Sequence, residues 1–257
     1  MDASQSAREP ERPELTDKAG RYAPLQAILS RHERHPAGGS TIREVVFGAN
    51  DGLISSLALV SGMAGATPNR STILIAGLAG VVAGTVSMAL GAFVSTKSVR
   101  EFQESEEQRE RYEIEHVPEL EREELAEIYR QKGFAGAELE RVLDRLTENP
   151  ERWLRVMMAE ELGLAGEVLN PYVAALVMGV AFALGGIVPV ISYFWSEGTV
   201  ALVTSVGLTA VGLFGVGCWR GALANSSWLR KGLEMVGLGG LSFFLSYGIG
   251  WLLGVSI

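Results

Sequence analysis

Carboxylates recur in one stretch of this chain at spacings that set them side by side. Glu110 and Glu113 are three residues apart, and so are Glu121 and Glu124; on a helix, each pair projects from one side. Pro118 lies between the pairs, so a short turn there folds the two helices face to face and lets four carboxylates converge. Further on, Met157 and Met158 stand at i,i+4 and i,i+3 spacing from Glu161 and offer one or two thioethers beside a fifth carboxylate. Oxygen ligands alone suit magnesium, calcium or manganese, whereas a thioether favours a later transition metal; ferrous iron is a middle candidate. The plain alternatives are that interleaved Glu and Arg form solvated faces held by i,i+4 pairs, and that adjacent methionines fill a core. His116 could add an imidazole, although a lone histidine in a turn is ordinarily just exposed.

A second feature lies upstream, in "VVFGANDGLISSLALVSG" (45–62), where Asp51 interrupts an apolar stretch. Asn-Asp-Gly is a turn signal, which would make Asp51 the N-cap of a helix starting at Gly52. Length argues otherwise. From Gly52 to Ala66 a helix would cover about 22 Å at 1.5 Å per residue, short of the roughly 30 Å of hydrocarbon in a bilayer. A start near Thr41 or Glu44 gives enough, and leaves Asp51 roughly 10 Å inside. A charge at that depth costs at least about 2.5–3.5 kcal/mol by insertion scales and ordinarily marks an ion or proton path. A mobile cation or a proton would complete it. Met88 is a possible neighbour, because Gly77, Gly80, Gly84, Met88 and Gly91 follow i+3/i+4 steps and form a smooth helix face suited to close approach.

The elements that must position these residues follow from the blocked distribution of apolar residues. The chain has 257 residues, 47% hydrophobic. No Asp, Glu, Lys or Arg occurs between Arg70 and Lys97, between Glu167 and Glu197, between Glu197 and Arg220, or after Glu234. With the Asp51 segment, these runs predict five transmembrane helices. Residues 1–40 are polar and rich in Pro, Arg and Glu, and predict a disordered tail without a signal peptide. Residues 41–97 carry the first two spans and 166–257 the last three. The later spans show small-residue packing and no chemistry, and are expected to be scaffold. The single cysteine, Cys218, excludes a disulfide framework or a Cys-based metal site within one chain.

Between the second and third spans, residues 98–165 hold 19 Asp/Glu against 10 Lys/Arg and account for the whole net charge of −8. The second span is expected to continue outward as a helix to His116. Pro118 would open the next, which stops at Gly133; another would end at Pro150, and a last one, "ERWLRVMMAEELGL", leads to the third span. Basic residues set the orientation. Arg31, Arg34 and Arg43 precede the first span, and Arg220, Arg230 and Lys231 lie between the fourth and fifth, so the N-terminus and the insert are expected to be cytoplasmic. The prediction is therefore an all-α integral membrane protein of five spans with a cytoplasmic helical metal-binding domain between the second and third. No Ser/His/Asp set, phosphate loop or HExxH pattern points to an enzyme, and neither a prosthetic group nor a nucleic-acid partner is expected.

"FGANDGL" in the first span, "SMALG" in the second, the Glu-rich insert and "MMAEELGL" before the third, in that order, resemble the vacuolar iron transporter family over about residues 41–257. The resemblance implies a homodimer with a pathway between the two copies of the first span, exporting cytosolic Fe2+ in exchange for protons. It implies Asp51 and Met88 as pathway residues, and Glu110, Glu113, Glu121, Glu124, Met157, Met158 and Glu161 as metal ligands of the insert. One departure is evident: many members have Gly-Glu after the Ser-Met element, where this chain has Gly91-Ala92, so a second intramembrane carboxylate is missing. The expected membrane is the plasma membrane in a prokaryote and the vacuolar membrane otherwise. Two other functions fit the same architecture: a transporter for Mn2+ or for a broader set including Co2+ and Zn2+, and a membrane-anchored metal sensor or buffer.

Overall fold

The structure is a computed structural model that describes residues 39–164, 166, 168–223 and 226–256. The tail expected over residues 1–40 lies outside the described residues except for its last two. Those two begin the first helix. The described residues form α1 (Gly39–Ala66), α2 (Arg70–His116), α3 (Pro118–Gln131), α4 (Gly136–Thr147) and α5 (Pro150–Glu160), then α6 (Pro171–Ile191) with a 3-10 turn at Ser192–Phe194, α7 (Gly198–Leu223) and α8 (Trp228–Ser256). There is no strand among them, and α1, α2, α6, α7 and α8 are long and apolar enough to cross a membrane.

Helix α1 runs unbroken through Asn50-Asp51-Gly52, so the length argument outweighs the turn signal and Asp51 lies near mid-helix. Its neighbours approach closely wherever α1 has glycine. A Cβ on Gly52 would strike the carbonyl oxygen of Phe182 and come within 2.8 Å of the Gly186 nitrogen, both on α6. Farther along, Gly62 and Gly65 meet the α8 backbone at Ser246 and Tyr247. On α2, Gly77 packs against Val60 and Val190, and Gly84 against the ring of Phe182. Gly91, expected on the same packing face, has nothing within 4 Å. Small residues thus draw α1, α2, α6 and α8 together by backbone proximity, as hydrocarbon surroundings require.

Helix α2 has 47 residues, about 70 Å at 1.5 Å per residue. Asn69 caps it, its side chain accepting from the Thr72 N–H at 3.1 Å. The portion before Lys97 presents Ile75, Val82, Val86 and Leu90 outward, as a lipid-facing surface would. Arg70, at its start, is structural: Nε donates to the Tyr193 carbonyl at 2.6 Å, Nη2 to the Phe194 carbonyl and Nη1 to Glu197. It thereby satisfies carbonyls at the end of α6 that the helix itself leaves open.

The outer part of α2 joins α3, α4 and α5 around Ile114, Leu125, Leu143, Trp153 and Met157. Pro118 opens α3, and Gly133, at φ 96°, follows its end. Pro150 opens α5 rather than closing α4, which stops at Thr147; the Asn149 side chain caps α5 by accepting from the Arg152 N–H at 3.0 Å. Proline at a first helical position loses only an N–H that has no intrahelical partner.

Close packing predicts that Gly52→Ala overpacks the α1–α6 contact, at a cost of about 1–3 kcal/mol. A matched Gly207→Ala, at a glycine with open space around it, should leave the thermal midpoint in detergent within a degree or so of the parent, while Gly52→Ala lowers it clearly.

Candidate metal centre and membrane cleft

In the insert, α2, α3 and the end of α5 bring Glu110, Glu121 and Glu161 together, with one carboxylate oxygen from each lying within 4.8 Å of the others. Glu110 and Glu121 are 1% and 3% exposed. Glu110 Oε1 and Glu121 Oε2 are buried without a hydrogen-bond partner. Two carboxylate oxygens cannot satisfy one another unless one carries a proton. Burial and, after it, the hydrogen bond and charge of Glu121 and the charges of Glu161 and Glu113 push Glu110 up to about 8, so Glu110 carries that proton near neutrality. Burial raises Glu121 as well, with Glu124, Glu113 and Glu161 adding to it against the opposing bond from Glu110. Glu161 is raised chiefly by burial and then by Glu124. Glu161 is the exposed member of the three, and Arg109 partly offsets its rise.

Elsewhere in the insert the solvated-face reading holds. Arg122 binds Glu140 and Asp144 at 2.8 and 2.9 Å, Arg130 binds Glu123 and Glu127, and Arg111 bridges Glu107 and Glu151. Glu113 and Glu124 act on the triad through their charge, and Glu113 is held by Arg109, which also binds Glu106. Met157 is fully buried in the apolar core; it shares one side of α5 with Glu161, four residues on, and so backs the triad from within. Met158 lines a separate groove with Glu104, Glu107, Glu151 and Arg155. His116 stacks on Tyr112 at 3.8 Å and its Nδ1 meets the Tyr112 carbonyl, away from any ligand role. Glu106 was not anticipated. Its charge reaches Glu161, and its place four residues before Glu110 was the available signal.

In the membrane, Asp51 and Met88 line one cavity of about 250 Å³ between α1 and α2, with Ser55, Ser56, Ser87 and Phe182 in its wall. Among the described residues no Lys or Arg lines it. The Ser55 hydroxyl donates to the Asp51 backbone carbonyl at 2.6 Å, an i−4 bond within the helix. These serines were also missed, though Ser55 stands four residues after Asp51, on its face. The cavity combines one carboxylate, one thioether and several hydroxyls, a mixed set suited to a partly dehydrated divalent ion.

Residues 42–251 match the family model described as VIT family. A "Vacuolar iron transporter 1" of Oryza sativa subsp. japonica is 37% identical over 244 residues, covering 92% of this chain and 93% of the relative. Another so named in Arabidopsis thaliana is 37% identical over 222 residues, covering 84% and 88%. A "Vacuolar iron transporter" of Toxoplasma gondii is 32% identical over 223 residues, covering 82% and 74%.

The raised Glu110 fixes a pH dependence. Its folded value of about 8 lies above the ordinary 4.5, so between these values the folded protein holds a proton that the unfolded chain lacks. Stability present below the lower value is lost as pH rises through the upper one. Thermal unfolding of the metal-free protein between pH 5 and 9 should show this decline, and Glu110→Gln should flatten it. Because metal displaces the same proton, Co(II) affinity should fall as pH drops below about 8, and Glu110→Gln should weaken it tenfold or more in calorimetric titration.

Proposed function

The chain belongs to the VIT family, and from that premise we propose that it moves ferrous iron out of the cytosol across its membrane in exchange for protons. Asp51 carries the proposal: an acid near the middle of a spanning helix, in a cavity shared with Met88 and lined, among the described residues, by no basic residue. A divalent cation supplies the charge that niche lacks, and protonation of Asp51 from the far side releases it.

The insert is the collecting domain. Its excess of acids raises the local concentration of cations, and Glu110, Glu121 and Glu161, flanked by Glu113 and Glu124 and backed by Met157, capture one. Basic residues Arg43, Arg220, Arg230 and Lys231 support a cytoplasmic N-terminus and insert by the positive-inside rule. Two copies of the chain pair along α1, whose Phe47 and Leu59, flanking Asp51 in sequence, are exposed. Ala92 leaves Asp51 as the principal proton-coupled acid of the spans. The membrane is vacuolar in a eukaryotic cell and the plasma membrane in a prokaryotic one.

A manganese transporter is the second reading, favoured by the all-oxygen triad of the insert, which suits Mn(II) as well as Fe(II).

Reconstitution into liposomes with a pH-sensitive dye inside tests both. Metal entry should drive proton exit, and Asp51→Asn should reduce flux to that of empty vesicles while metal binding by the insert stays within twofold of the parent. Normal flux through Asp51→Asn would sink the mechanism, and binding without flux in the parent protein would make it a sensor or buffer. Competition among Fe(II), Mn(II), Co(II) and Zn(II) ranks the metals.

A further inference from the structure

One more carboxylate is buried at the end of α1. The Glu44 side chain is 6% exposed and forms part of the wall of a cavity of about 470 Å³, together with Phe47, Met88, Ala92 and Met178. Its hydrogen-bonded cation is Arg43, whose Nη2 lies 2.9 Å from Glu44 Oε1 while the Arg43 side chain is 75% exposed. Consecutive helical residues point about 100° apart, so Arg43 reaches round the helix from solvent and can leave without any backbone change. A buried carboxylate held only by a departing arginine needs a replacement cation.

The surroundings fit a metal ion. Glu44 and Asp51 are seven residues apart, two turns along one face of α1 and about 10 Å in rise. Gly48 lies between them on that face. A Cβ there would fall 3.2 Å from the Met178 Sδ, so the glycine lets the α6 thioether lie against α1 between the two acids. Met88 lines both this cavity and that of Asp51. The hydroxyls of Ser95 and Thr96 complete the outer wall.

We infer that Glu44, Met178 and Met88 form a second divalent-cation site, a waiting station from which the ion passes along Met88 to Asp51. The inference rests on the transport reading above. The incoming ion displaces Arg43 from Glu44, and the two thioethers favour Fe(II) or Co(II) over ions that accept oxygen alone. Met178 gives the third span, expected to be scaffold, a part in the chemistry.

The test uses full-length protein in liposomes with Co(II) and Mn(II) as probes. Glu44→Gln should lower Co(II) flux about tenfold at subsaturating metal. Met178→Leu, similar in volume, should reduce the preference for Co(II) over Mn(II) severalfold. A second readout is independent of turnover: Met178→Cys in a Cys218→Ala background should react with a methanethiosulfonate reagent, Co(II) should protect it, and adding Glu44→Gln should remove the protection. Parent flux and metal order in Glu44→Gln and Met178→Leu, or labelling indifferent to Co(II), would overturn the station. If the parent moves no divalent metal, the transport reading fails, while labelling still reports whether the site binds.

Discussion

A carboxylate in hydrocarbon has neither water nor a counter-ion, and Asp51 stands on a helix long and apolar enough to cross a membrane, with no arginine or lysine among the described residues that wall its cavity. The arrangement of the surrounding helices follows from that constraint. Glycines draw α6 and α8 against α1, and a short row of serines gives the niche polarity without charge. A fixed basic partner would have satisfied Asp51 permanently and closed the niche to cations. On the proposed mechanism the missing charge is the functional element, and the close helix packing keeps the niche formed while it is missing.

The same imbalance recurs in the insert by a different route. Most of its acids are solvated and matched by Arg111, Arg122 or Arg130, in exposed pairs that contribute little to stability. Glu110 and Glu121 are instead buried against one another with orphaned oxygens, an arrangement that costs stability unless a proton or a metal resolves it. On the proposed function, charge would attract cations to the whole domain and burial would decide where one stays. Arg109 sits at the edge of this cluster, bridging Glu106 and Glu113 and tempering its negative potential.

Much of this was legible in the sequence because membrane spans are set by length and charge, and helix ends by proline, glycine and asparagine. The breadth of the hydrocarbon overruled the Asn-Asp-Gly turn signal, and the i,i+3 spacing of the glutamates indicated their faces. What spacing could not reveal was depth. Glu110 and Glu113 were equivalent on paper, yet only Glu110 is fully enclosed by α3 and the core. Adjacent Met157 and Met158 point 100° apart and so enter different surroundings. Gly91 repeated the glycine pattern but met no neighbour. Glu44 read as the boundary of a span, and the third span as scaffold, because their shared cavity requires α1 and α6 to be docked. Burial of this kind is a property of the assembled helices.

Helix α2 carries both Met88 and Glu110 on one uninterrupted rod. They are 22 residues apart, roughly 33 Å along the axis, and within about 40° of the same face. Rigidly joined points at that separation form a lever arm: a tilt of about 5° at the bilayer sweeps the far carboxylate by roughly 3 Å, comparable with the spacing of the triad itself. Any tilt of α2 at the intramembrane cleft would therefore be carried to the carboxylate cluster of the insert without an intervening loop.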